Sequence, residues 1–114
     1  MKLILPVVAA AFAAAPALAH HGWSQYDTDI ELSLTGKLVD SRYEHPHGYV
    51  RLETPDKTWL VVLPPPTRMA SRGLQKEALA PGNIVTVVGY PNRAKPEEMR
   101  AERVMVQGKV VELR

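Results

Sequence analysis

Between residues 30 and 38 apolar and polar side chains alternate, with Ile30, Leu32, Leu34 and Leu38 in one set and Glu31, Ser33, Thr35 and Lys37 in the other. A period of two is that of a strand with one buried face. Gly36 takes an inward place in the series and Leu38 and Val39 are apolar in succession, so a bulge or sharp coil is expected there. A second strand is expected from about Tyr49 to Glu53, and the third is "TWLVVL", apolar on both faces. Pro55 and Asp56 in "TPDK" make the turn between them a hairpin.

"PPPTRMASRGLQKEALAPGN" breaks the strand pattern. Three prolines cannot continue a ladder, Thr67 can cap a helix and Gly73 can end one, which predicts a short helix over residues 68–72. A further turn is expected from Gln75 to Leu79. Pro81 and Gly82 then open "NIVTVVGY", the fourth strand, and after the loop "YPNRAKPEE" the segments "RAERVMV" and "KVVELR" form a fifth, split or bent at Gln107 and Gly108. Three strands, a short helix and two strands is the chain order of an all-β OB-fold-like barrel, five-stranded and Greek-key. A five-stranded open sheet covered by the helix is the rival architecture.

The 114-residue chain begins differently. Met1 and Lys2 precede the uncharged apolar run "LILPVVAAAFAAAPAL", and Ala17-Leu18-Ala19 supplies a small-x-small site. This is the pattern of a secretory signal peptide over residues 1–19, cut before His20. The run is short for a bilayer span, and no second one follows, so no membrane span is expected after processing and the location implied is periplasmic. Residues 20–29 then form an N-terminal arm and residues 30–114 the barrel domain. Loss of Lys2 lowers the formal net charge from +2 to +1, which offers no footprint for nucleic acid. With no cysteine there is no disulfide framework, thiolate metal site or cysteine nucleophile.

The double histidine after the leader, the following aromatic and "YD", "LTGKL", "HPHG", "RMASRGL", "LAPGNIVTVVGYP" and "AERVMVQGKVVEL" together resemble the small exported bacterial proteins of domain-of-unknown-function family 6152. The resemblance implies export and an OB-like barrel, and brings no established activity. The family commonly has Asn-Pro-His where this chain has His45-Pro46-His47. His47 is then the counterpart of the family histidine and His45 an addition.

All four histidines fall in two groups, His20-His21 and His45-Pro46-His47. Proline favours an extended residue before it, so His45 and His47 are expected to point to one side. Imidazoles converging from two segments suit zinc or copper, and a free N-terminal histidine adds a chelate of its α-amino nitrogen and ring Nδ1. This predicts a copper site of the histidine-brace type from His20 and His47, with His21 or His45 nearby. Trp23 and Tyr26 are expected to anchor the arm. Met69, Met99 and Met105 read as gap-fillers rather than soft ligands.

No nucleophile elbow or glycine-rich phosphate loop is present, and neither Glu97 with Glu98 nor Asp40 with Glu44 is more than a solvated pair, so no catalytic residue is assigned. Arg68 and Arg72 share a helix face and could bind an anion. The alternative to copper is a metal-independent OB-type module that captures a periplasmic protein or small ligand on a barrel face bearing Tyr43, Tyr49 and Trp59. A copper oxidase ranks last, because so short a chain offers little substrate surface.

Overall fold

The computed structural model describes Leu3 and residues 22–114. The expected signal peptide, His20 and His21 lie outside the described residues, Leu3 apart. The strands are β1 (Leu32–Arg42), β2 (Tyr49–Glu53), β3 (Thr58–Val62), β4 (Ile84–Pro91), β5 (Glu98–Val106) and β6 (Lys109–Glu112). One helix, α1 (Pro66–Ser71), and 3₁₀ turns at Trp23–Gln25 and Lys76–Leu79 complete the described elements.

Neighbouring strands run β3-β2-β1-β4-β5-β6, and a further pairing of β3 with β5 closes the first five into a barrel. The closing ladder is parallel, with Leu60 opposite Glu98 and Val62 opposite Arg100. The other ladders between these strands are antiparallel. This is the OB arrangement, and the open-sheet alternative is set aside. The expected fifth strand is a hairpin, β5 and β6, whose turn residues Gln107 and Gly108 both have positive φ (53° and 74°). Two such residues match the right-handed twist of the flanking strands.

β1 begins and ends later than its alternation implies, and Ile30 is exposed rather than inward. The shift in register between Leu38 and Asp40 is the expected bulge, and it lets one long strand pair with β4 at one end and β2 at the other. The core is made by Leu38, Val50, Leu52, Val61, Leu63, Val87 and their neighbours, all nearly without exposure. Trp59 joins them, so its indole faces inward rather than toward a ligand. α1 starts at Pro66 with no side-chain cap from Thr67, because a proline in the first turn supplies the right φ and has no amide to satisfy. Met69, Leu74 and Leu79 carry α1 and the following turn into the same core.

Candidate functional site

Residues 22–27 form a strap across the outside of β4 and β5. The Tyr26 amide donates to the Trp23 carbonyl, the Asp27 amide to Pro91, and the Arg93 amide returns a bond to the Gln25 carbonyl, each at 2.9 Å. Arg93 Nε also donates to the Ser24 carbonyl. Trp23 packs edge-on against Tyr90, and the guanidinium groups of Arg100 and Arg114 lie over its ring at 4.3 and 4.5 Å. Tyr26 is buried, and its Oη donates to Glu98 Oε2 at 2.7 Å. Burial, then that bond, pushes the phenol well above its ordinary pKa. The expected anchoring by Trp23 and Tyr26 is therefore what the strap does.

Where the strap stops covering the barrel, the outer face of β2 and β3 opens as a cleft of about 570 Å³. The register explains its lining. Val50 and Leu52 point into the core, so Tyr49 and Arg51 point out; likewise Val61 points in, and Leu60 and Val62 point out. Across the three strands the outward residues make two rows, Tyr49–Val62–Arg100 and Arg51–Leu60–Glu98. Leu60 and Val62 give an apolar floor. One wall is Gln25, Tyr26 and Lys95; the other is Pro46, His47, Pro64, Pro65 and Arg68.

The β1–β2 loop is held against this wall by its backbone. The Gly48 amide donates to the Pro64 carbonyl at 3.1 Å, and the Leu63 amide donates to the Gly48 carbonyl at 2.9 Å. Gly48 is buried, with the Arg42 carbonyl and the Met69 methyl where a Cβ would stand. His47 is half-buried and lines the cleft, its Nδ1 3.0 Å from the Gly48 carbonyl, a bond in which the ring donates. That bond selects the tautomer with the lone pair on Nε2.

His45 is exposed and does not line the cleft. The chain bends at residues 45 and 46 rather than running extended. Among the described residues no group of three or more His, Asp or Glu is arranged to hold a metal. Tyr49 faces the cleft as expected, but Tyr43 packs inward and its Oη donates to the Leu74 carbonyl at 2.8 Å. Arg68 reaches the cleft, whereas Arg72 Nη2 donates to the Arg114 carbonyl, so the two do not act as a pair. Met69 and Met99 are wholly buried, as gap-fillers should be, and Met105 is exposed.

Arg51, Lys95 and Arg100 line the cleft although no motif announces them, and Glu98, expected as half of a solvated pair with Glu97, is buried. For Arg51 a signal exists, since "YVRLE" alternates and places Tyr49 and Arg51 on one face. Arg100 and Glu98 enter only through the β3–β5 closure.

The fold is that of a small barrel module of the OB class, with the cleft over its β2 and β3. The sequence model of a family of unknown function, DUF6152, matches residues 8–100, and the chain belongs to that family. No curated protein matches the sequence. Among solved structures the chain is similar to one in a crystal structure of TiaS in complex with a transfer RNA and ATP, at 16% identity with a TM-score of 0.54. The match covers 71% of this chain and 19% of that one, so it spans about a fifth of the other protein. The likeness is one of fold alone. No helix among the described residues is long and apolar enough to cross a membrane.

Proposed function

We propose that this is an exported binding module that holds a small ligand in the cleft over β2 and β3. The observation that carries the reading is the convergence of an apolar floor, Leu60 and Val62, with polar groups from the strap, the β1–β2 loop and α1 in one cleft of about 570 Å³. Small-molecule sites are concave, largely apolar and fixed by a few placed polar groups. Export is supported by the cationic start, the apolar run and Ala17-Leu18-Ala19. The test fills the cleft: Val62→Trp keeps an apolar side chain on the half-buried floor. Ligands that raise the melting temperature of the wild type should lose that effect in Val62→Trp. Equal shifts in both proteins would place binding elsewhere.

A second reading, a Cu(II) site, is favoured by one specific observation. Gln25 and His47 line the same cleft, and His20 lies three residues before the Trp23–Gln25 turn that carries Gln25. A His47 ring whose Nδ1–H bonds to a backbone carbonyl is oriented as metal-binding imidazoles usually are. The ligands would be the His20 amine and ring and the His47 Nε2, with His21 or His45 as neighbours.

A further inference from the structure

Among the described residues the cleft lining holds four cationic side chains, Arg51, Arg68, Lys95 and Arg100, and one carboxylate, Glu98. That carboxylate is already engaged. Its Oε2 accepts from Tyr26 Oη at 2.7 Å and from Asn92 Nδ2 at 3.0 Å, and its Oε1 lies 3.9 Å from Lys95 Nζ. The five ion pairs among the described residues involve Asp40 with Arg42, Glu98 with Lys95, and Glu102 and Glu112 with Arg103 and Arg114. None of them neutralises Arg51 or Arg68.

Arg100 stands on the outer face beside Val62, with its guanidinium stacked on Trp23. Burial, with the positive charges of Arg68 and Arg114 adding to it, lowers its pKa from the ordinary arginine value. Arg68 and Arg100 line one cleft whose floor is apolar. Guanidinium groups brought together on a surface without free carboxylates form the usual receptor for a planar or tetrahedral anion, since each offers a fork of donors.

Resting on the cleft reading above, we infer that the ligand is a small organic anion: an apolar body lies on Leu60 and Val62 beside Tyr49, and its carboxylate is held between Arg51, Arg68 and Arg100. Charge and floor each do part of the work. The guanidinium groups fix the carboxylate, and the body fills the sheet surface that inorganic anions leave wet. The chain as a whole is near balance, with fourteen Lys and Arg against twelve Asp and Glu, whereas the cleft lining has four cations to one carboxylate, so the selectivity is local rather than a general basicity.

The test uses titration calorimetry on the purified protein with three probes: 2-naphthoate, the uncharged 2-naphthylmethanol, and inorganic phosphate. The expected result is that 2-naphthoate binds at least about tenfold tighter than either of the others, the factor that a single charge-assisted hydrogen bond supplies. Arg51→Gln and Arg68→Gln should each weaken 2-naphthoate by about tenfold or more. Lys76→Gln, on an exposed turn away from the cleft, should not. Both arginines are exposed, so their variants fold, and an unchanged melting temperature verifies it. Equal affinity for the acid and the alcohol in the cleft overturns the anion inference and leaves the binding site standing. Phosphate binding as tightly as 2-naphthoate overturns the role given to the floor. Absence of 2-naphthoate binding overturns the inference outright, while the cleft reading stands or falls separately on the Val62→Trp comparison.

Discussion

Tyr26 Oη donates to Glu98 Oε2 at 2.7 Å, joining residues 72 apart in sequence where the strap meets the barrel seam. A buried carboxylate with two donors is stable only while both are present. Tyr26→Phe removes one and leaves an acceptor underserved at a cost of about 1–3 kcal/mol. In a domain of this size each kcal/mol moves the melting temperature by about 4–8 °C. Thermal unfolding at neutral pH should register that loss; an unchanged melting temperature would show that the bond contributes nothing.

The same phenol sets an alkaline limit. Its pKa is raised in the fold, so above the ordinary tyrosine value of about 10 the unfolded chain releases a proton that the folded one keeps. Stability from this group is complete below about pH 10 and falls as pH rises beyond it. Urea midpoints measured from about pH 8 to 11 should fall at the alkaline end in the wild type and fall less in Tyr26→Phe. Parallel curves would remove Tyr26 as the source.

Trp23 holds the strap through one aromatic edge contact to β4 and two guanidinium groups. These contacts are worth about 0.5–1.5 kcal/mol each, so Trp23→Ala should free the strap without unfolding the barrel. Hydrogen exchange at the Asp27 and Arg93 amides should quicken by about tenfold or more, while Val50, Val61 and Val87 keep their protection. Exchange that quickens everywhere would make Trp23 part of the global fold.

Much of the barrel is legible in residue alternation. The strands, the bulge after Leu38, the proline break, Gly73 as helix terminator and the Gln107-Gly108 reversal are all local, and local chemistry decides them. The parallel closure of β3 on β5 is not local: it brings Leu60 beside Glu98, and no pattern in either segment announces the other. Trp59 faces the core against expectation for a related reason. Both faces of β3 are apolar, so only the tertiary structure says which one is covered. His47 lines the cleft and His45 does not, and the loop bends where the proline pattern implies extended chain.

The copper reading makes a separate demand on the start of the processed chain. Protein beginning at His20 should bind one Cu(II), and binding should weaken below about pH 6 as imidazoles and the α-amine take up protons. A single glycine placed before His20, or His47→Ala, should each weaken it strongly, with altered electron paramagnetic resonance spectra; Met105→Leu should not. Identical affinity and spectra in all of these proteins would eliminate the site.

The central claim is that ligands settle on the outer face of β2 and β3. Its most direct test is amide chemical-shift mapping of the isotope-labelled protein against a library of small fragments, anionic and neutral. Shifts should concentrate at Tyr49, Arg51, Leu60, Val62 and Arg100, with Arg68 and His47 at the rim. Shifts that instead gather on the exposed patch of Ile84, Met105 and Val110, or that spread evenly over the barrel, would contradict it.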